Sequence, residues 1–478
     1  MRGNSKLIPE MQWPIPDGPG RYAHMAQLFG IAERMKQYGI RVDRGRIIEH
    51  TRDARARTAI FTRLFLKESK LAQSDLGKAG SGQTDAVKAW FAAQGAPDVV
   101  FDKRTKRAQF NAAALTIYAE DFTASPFGPA AAALLGLRKA QTSLKFLEAY
   151  LAVSDHHGGR IHFGFNPLGT KGERWSASAS WSWTEGGEQR EYSLNAQNVP
   201  SKSRAFTFAE DGTLPLMVSL RDCFIPDPGC VWIKHDYEAL EARLIAYITG
   251  ARKLIDWIAA DKDIHMENAR ALFVEAKMPA DAKKKDPRWA PFREAAKPCM
   301  YALSYQWSRG DGKDKYNDLF KTLKSIFPNT QERYVTVLAE RFFKLHPEIR
   351  AWQRRTSDSI ERSGMIELPQ TGRRLYLPPT MRGFNQALNF QMQSGGGALI
   401  NRAIPAIAAL CDWRPAGVGL LAMVHDEVDT SVPQARAAEI ELAIADILGA
   451  PMDFGGTAAG VPAKGAVGTN WMDGKDIR

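Results

Sequence analysis

Apolar positions recur at helical spacing near the start of the chain. Met25, Leu28, Ala32 and Met35 fall three or four residues apart, and Gly39 is placed to stop the helix. Ile40-Arg41-Val42 then predicts a short extended piece, and the first 160 residues read as mainly helical. The pattern changes at 164–192, where Gly164, Gly169, Gly172, Gly186 and Gly187 mix with Ser and Trp and predict loops and short strands. Cys230 to Ile233 and Val418 to Val424 are apolar runs of buried-strand length. Between them, 251–365 returns to helical periodicity, with Pro287, Pro291 and Pro298 as punctuation and Lys283-Lys284-Lys285 in a surface loop. No internal repeat is visible. The layout is α+β, with one sheet assembled from two separated stretches.

Length and composition narrow the class. A chain of 478 residues has room for about three domains. With 44% hydrophobic and 24% charged residues it is neither disordered nor fibrous. No apolar run approaches the roughly 18 residues of a membrane span, and Met1 to Glu10 lacks the apolar core of a secretory signal. Cys223, Cys230, Cys299 and Cys411 contain no CxxC pair, which argues against a disulfide framework or structural zinc. A soluble, cytoplasmic enzyme of several domains is expected. The net charge of +11 suggests a polyanionic partner. Basic clusters lie at Arg41, Arg44, Arg46, Arg52, Arg55, Arg57 and Arg63, and at Lys103, Arg104, Lys106 and Arg107. Each reads either as a solvated helix face or as a stripe that follows a phosphate backbone.

Three segments carry candidate chemistry. Asp236 falls where an apolar strand gives way to a helix with Leu240, Leu244 and Ile248 on one stripe. It suits either a hard cation in a cleft or the N-cap of that helix. Val424-His425-Asp426-Glu427-Val428 predicts a hairpin with carboxylates at its tip. Two such carboxylates could bind metal ions about 4 Å apart for phosphoryl transfer, although the sequence alone does not bring Asp236 and Asp426 together. Arg293, Lys297, Tyr301 and Tyr305 are spaced by four, so a helix stacks them on one face. Two cations and two rings there could grip a triphosphate and a base, or could be a surface pair beside core tyrosines.

Taken in order, these segments resemble the polymerase module of family A DNA polymerases, the polymerase I type, with most similarity to phage members. Asp236 to Arg243 is similar to the family's DYSQIELR segment, Arg293 to Tyr305 to its R-x3-K-x3-[FY]-x3-Y helix, and His425-Asp426-Glu427 to its HDE. Asn195 to Pro200 resembles NLQNIP, Arg221-Asp222-Cys223-Phe224 resembles RxAF, and Asp263-Ile264-His265 resembles DIH. Thr371 to Arg374, Asn389 with Gln393, and Asn470-Trp471 complete nine collinear matches between about residues 20 and 478.

The resemblance implies a right-hand fold of helical thumb, antiparallel-sheet palm and helical fingers. The expected boundaries are 1–160 for the N-terminal helical region and thumb, 161–250 and 381–478 for the two parts of the palm, and 251–380 for the fingers. It implies template-directed addition of dNTPs to a primer by two Mg²⁺ ions on Asp236 and Asp426, with Glu427 as a supporting carboxylate. Arg293, Lys297 and His265 would meet the triphosphate charge on charge, Tyr301 the sugar, and Tyr305 the templating base. Arg221 and Gln393 would reach the minor groove, Asn389 and His425 the primer terminus, and Arg174 is placed with the DNA-binding residues. Glu241 would exclude a 2′-hydroxyl, which separates this chain from single-subunit RNA polymerases. Intact Asp236, Asp426 and Lys297 argue against an inactive nucleic-acid-binding relative. Tyr301, where the family has Phe or Tyr, implies tolerance of dideoxynucleotides.

The chain also departs from the pattern. Asn385 stands at a usual arginine, with Arg382 nearby, and Gln306 and Ala239 replace a usual Gly and Gln. Pro298 is expected to mark a first turn or a kink that displaces Arg293. No DxE occurs before Asn195, so no 3′→5′ proofreading is expected. No thumb insertion advertises a processivity factor, and no membrane partner is expected.

Overall fold

The computed structural model describes residues 19–77, 80–100, 108–200, 207–208, 212–213, 219–305, 317–368 and 370–476. The cluster at Lys103 to Arg107, and Gln306, lie outside them.

The N-terminal region is built from α1 (Pro19–Tyr38), α2 (Arg44–Ser69), α3 (Asp85–Ala93), α4 (Ala112–Asp121) and α5 (Gly128–His156). Gly39 ends α1 at φ +65°, and its amide donates to the Met35 carbonyl at 2.9 Å. After the short strand Ile40–Val42, the Asp43 carboxylate caps α2 by accepting from the Arg46 amide at 3.0 Å. Phe61, Phe65, Phe91, Leu115, Tyr118 and Leu134 bury a small core among α2 to α5, separate from the main one. The 164–194 stretch folds as the antiparallel strands Gly164–Asn166, Ser176–Glu185 and Glu188–Leu194.

The arginine-rich helix differs from a free cationic stripe. Arg44 is bonded to Asp155 (2.8 Å), Arg55 to Glu148 (3.1 Å) and Arg57 to Asp53 (2.6 Å), and Arg57 is buried. Arg46 reaches the Asp222 carbonyl at 3.1 Å. Much of the charge there knits helices together.

Two stretches far apart in the chain form one five-stranded antiparallel sheet. Its order is Gly419–Val424, Glu427–Pro433, Cys230–Tyr237, Ala463–Gly468 and Lys475–Asp476. Every residue of Gly419–Val424 is buried, so that run carries no polar alternation. Between the two stretches lie α6 (Leu240–Thr249), α7 (Arg252–Ala259), α8 (Ile264–Leu272), α9 (Ala290–Tyr305), α10 (Asn317–Ile326), α11 (Glu332–Leu345), α12 (Pro347–Ser363) and α13 (Met381–Ala409). A last helix, α14 (Ala437–Gly449), covers the sheet, where His235 Nε2 lies 3.1 Å from the Glu441 carbonyl oxygen and the Tyr237 hydroxyl donates to the Leu448 carbonyl at 3.2 Å. The architecture is α+β, as the pattern of the chain predicts.

Candidate active site

The central strand places Asp236 by simple alternation. His235 and Tyr237 point into the protein and are buried, so Asp236 between them faces the open side. It does not cap α6. It sits in the ladder, opposite Glu427 on one neighbouring strand and Lys464 on the other, and the chain turns into α6 through Ala239 at φ +49°. Val424 pairs with Glu427, leaving His425 and Asp426 as a two-residue hairpin turn in which His425 adopts φ +60°. Such a left-handed backbone costs a non-glycine residue roughly 1–3 kcal/mol. Sheet register thus brings together two carboxylate segments that the sequence keeps 190 residues apart (426 minus 236). The protein around Asp236, then the negative charges of Asp426 and Glu427, raises its pKa to about 6.

Glu427 is held from behind. Its Oε1 accepts from the Trp471 indole at 3.0 Å and from Arg221 at 3.2 Å, and the Arg221 guanidinium stacks on the Trp471 ring, 4.4 Å from its centroid. Trp471 in turn stacks on Trp232, whose indole donates to the buried Asp429 at 2.7 Å. Burial, then Glu427, pushes the Asp429 carboxyl well up. Arg221 is therefore bound to the protein's own carboxylate.

Helix α9 continues through Pro298, which therefore lies inside the helix and not in its first turn. Arg293 donates to Asp263, the N-cap of α8, at 3.0 Å. One turn before the end of α9, the Tyr301 hydroxyl lies 3.4 Å from His265 Nε2 on the same α8. Arg293 and Tyr301 thus both address α8. Tyr305 closes the row, donating to Glu241 in the first turn of α6 at 2.5 Å. Burial, then Glu241, raises both tyrosine pKa values. Lys297 reaches Glu294 at 2.8 Å, which also accepts from Arg293 at 3.2 Å. Burial, then Arg293, lowers the His265 pKa to about 4, so with no anion bound its imidazole is neutral.

One face of α13 presents Arg382, Asn385, Asn389 and Gln393 to a groove that Lys171 also lines. Arg382 and Asn385 both line this groove. Arg174 lies near Tyr305 and against Gly396 of α13. His425 is exposed at the hairpin turn.

Sequence reasoning missed Glu294, Asp429 and the link from Trp471 to Glu427. The i,i+3 spacing of Glu294 and Lys297 was a readable signal. The single carboxylate among the otherwise uncharged residues Val428 to Val432 was another. Nothing local marks Trp471 as a partner of Glu427.

A sheet with two carboxylate segments at one end, faced by a helix of cations and tyrosines, defines the palm-and-fingers class of domain. The comparisons agree. A sequence profile described as DNA polymerase family A matches residues 91–473, and the chain belongs to that family. It is 26% identical over 325 residues to a thermostable DNA polymerase I of Thermus filiformis, covering 66% of this chain and 33% of that one. It is 27% identical over 219 residues to a DNA polymerase of Mycobacterium phage D29, covering 46% of this chain and 32% of that one. The chain spans about a third of the length of these curated relatives. The fold is similar to the polymerase domain of Pol1 from M. smegmatis, solved with DNA primer-template and dNTP, with a TM-score of 0.70 at 21% identity over 94% of this chain and 70% of that one.

Proposed function

We propose that this chain is a template-directed DNA polymerase that adds dNTPs to a primer 3′ end, with Asp236 and Asp426 as ligands of two Mg²⁺ ions. The convergence of Asp236, Asp426 and Glu427 at one end of the sheet carries the reading, together with Tyr305 of α9 touching Glu241, five residues beyond Asp236. The donors are hard carboxylate oxygens, the kind Mg²⁺ takes; burial, then repulsion from Asp426 and Glu427, raises the Asp236 pKa, and a bound cation relieves that repulsion.

Bound there, the metal ions would ease loss of the 3′-hydroxyl proton and offset charge on the departing pyrophosphate. The hydroxyl oxygen attacks the α-phosphorus, and the bond to pyrophosphate breaks. Arg293 and Lys297 exchange Asp263 and Glu294 for the triphosphate, so the same side chains stay compensated without nucleotide and with it. His265 donates a hydrogen bond to the triphosphate from the same neighbourhood as Arg293. Glu241, fixed by Tyr305, occupies the space a ribose 2′-hydroxyl needs. The α13 groove, with Asn389 and Gln393, carries the primer-template.

The purified chain should leave a mismatched primer intact. The test is extension of a labelled primer with Mg²⁺ and either nucleotide set. Template-dependent growth with dNTPs supports the reading, preferential growth with rNTPs favours an RNA polymerase, and DNA binding without growth with either overturns it.

A further inference from the structure

We propose that His50, Asp222 and Cys223 form a binding site for a thiophilic divalent ion of the zinc class, joining α2 to the turn that carries Arg221. Their ligand atoms all lie within 4.8 Å of one another. His50 Nε2 is 2.9 and 3.0 Å from the two Asp222 carboxylate oxygens. The Cys223 thiol next to Asp222 is buried. Imidazole nitrogen, thiolate sulfur and carboxylate oxygen are the donor types zinc takes, three from protein leaving a fourth position for water. Soft sulfur distinguishes this set from Asp236 and Asp426, which offer oxygen alone.

The surroundings favour a cation. Glu49 and Asp53 act on His50, and Asp43 acts on Cys223, each as a negative charge. Arg46, the neighbouring cation, is engaged with Asp43 and the Asp222 carbonyl. The His50 and Asp222 side chains each keep 13% exposure, which leaves an approach from solvent. Without an ion, Asp222 compensates His50 directly. Binding displaces the thiol proton and the proton shared by His50 and Asp222. The RxAF motif that this segment resembles has alanine at the place of Cys223, so the thiol is a feature of this chain rather than of the motif.

Position gives the site a consequence. Asp222 and Cys223 belong to the turn Leu220–Cys223, which also carries Arg221, the partner of Glu427. The next residue, Phe224, accepts the Trp471 amide at 3.0 Å. An ion would fasten the N-terminal helical region to the segment that supports the carboxylate end of the sheet.

Co²⁺ titrated into the purified chain in excess Mg²⁺ is the test, read by absorption. The expected result is a thiolate-to-cobalt charge-transfer band that saturates at one equivalent, bleaches when Zn²⁺ is added, and is lost in Cys223→Ala. His50→Gln, which leaves the thiol in place, should weaken Co²⁺ binding at least tenfold. Absence of the band in the native chain, its survival in Cys223→Ala, or unchanged affinity in His50→Gln would each overturn the assignment. None of these readouts uses nucleotide addition, so the outcome is independent of the polymerase reading.

Discussion

Asp236 sets function against stability. Its pKa of about 6 lies above the ordinary 3.8, so above pH 6 the folded, metal-free protein holds a carboxylate that Asp426 and Glu427 repel. The folded state binds the proton more tightly than the unfolded chain, and stability declines as pH rises from about 3.8 to about 6. Asp236→Asn should therefore raise the thermal midpoint in metal-free buffer at pH 8, with a smaller gain at pH 5, while abolishing synthesis; equal midpoints for variant and native chain at pH 8 would contradict this. Glu241 makes a different prediction. Replacement by alanine removes the carboxylate and with it the acceptor of the Tyr305 hydroxyl, which opens the pocket. Relative use of rNTPs over dNTPs should rise about 10- to 200-fold in Glu241→Ala, the range a pocket gains or loses on a small change of fit. Single-nucleotide incorporation kinetics decide the point.

At the scale of elements, much was legible and the reasons are physical. The apolar run before His425 is a strand buried at every residue, the run leading to Asp236 is a strand that mixes buried with half-buried positions, and the four-residue spacing from Arg293 to Tyr305 is a helix because it repeats with the turn. Pairings between distant segments were not legible. Neither Trp471 nor Arg221 carries a local mark of its contact with Glu427, which arises only when the sheet register closes. The neutrality of His265 is likewise a product of burial. The glycines of α13 belong to the same group. A Cβ on Gly397 would lie 2.6 Å from the Gly172 carbonyl oxygen and 2.8 Å from that of Glu173, so the helix approaches the loop bearing Arg174 only because Cβ is missing. Gly397→Ala should gain helix propensity yet lose about 1–3 kcal/mol net in urea unfolding through overpacking. His346, which leads into α12, is buried and bonded to Asn268 of α8 at 2.9 Å. Burial, then Lys253, lowers its pKa to about 3 from 6.5, so the unfolded chain takes up the proton first. Stability should fall by up to about 1.4 kcal/mol per pH unit below that ordinary value, and the slope should flatten in His346→Gln.

For the molecule as a whole, charge and topology acquire separate meanings. The excess of +11 pointed to a polyanion, but Arg44, Arg55 and Arg57 pair with carboxylates inside the N-terminal helical region. The candidate nucleic-acid path is marked instead by the α13 groove, with Arg382 and Lys171 beside Asn389 and Gln393. Among the described residues, no helix is long and apolar enough to cross a membrane. The sheet joins two of the three segments, its central strand lying far from its hairpin in the chain and directly beside it in space, and the Tyr305–Glu241 bond brings in the third. The measurement that reaches this account most directly is single-nucleotide incorporation by Asp426→Asn, run beside a primer-template binding assay on the same protein. DNA affinity should stay within about twofold of the native chain while the incorporation rate falls by about 10³-fold or more, equivalent to about 4 kcal/mol of transition-state stabilisation. Incorporation at the native rate would contradict the account.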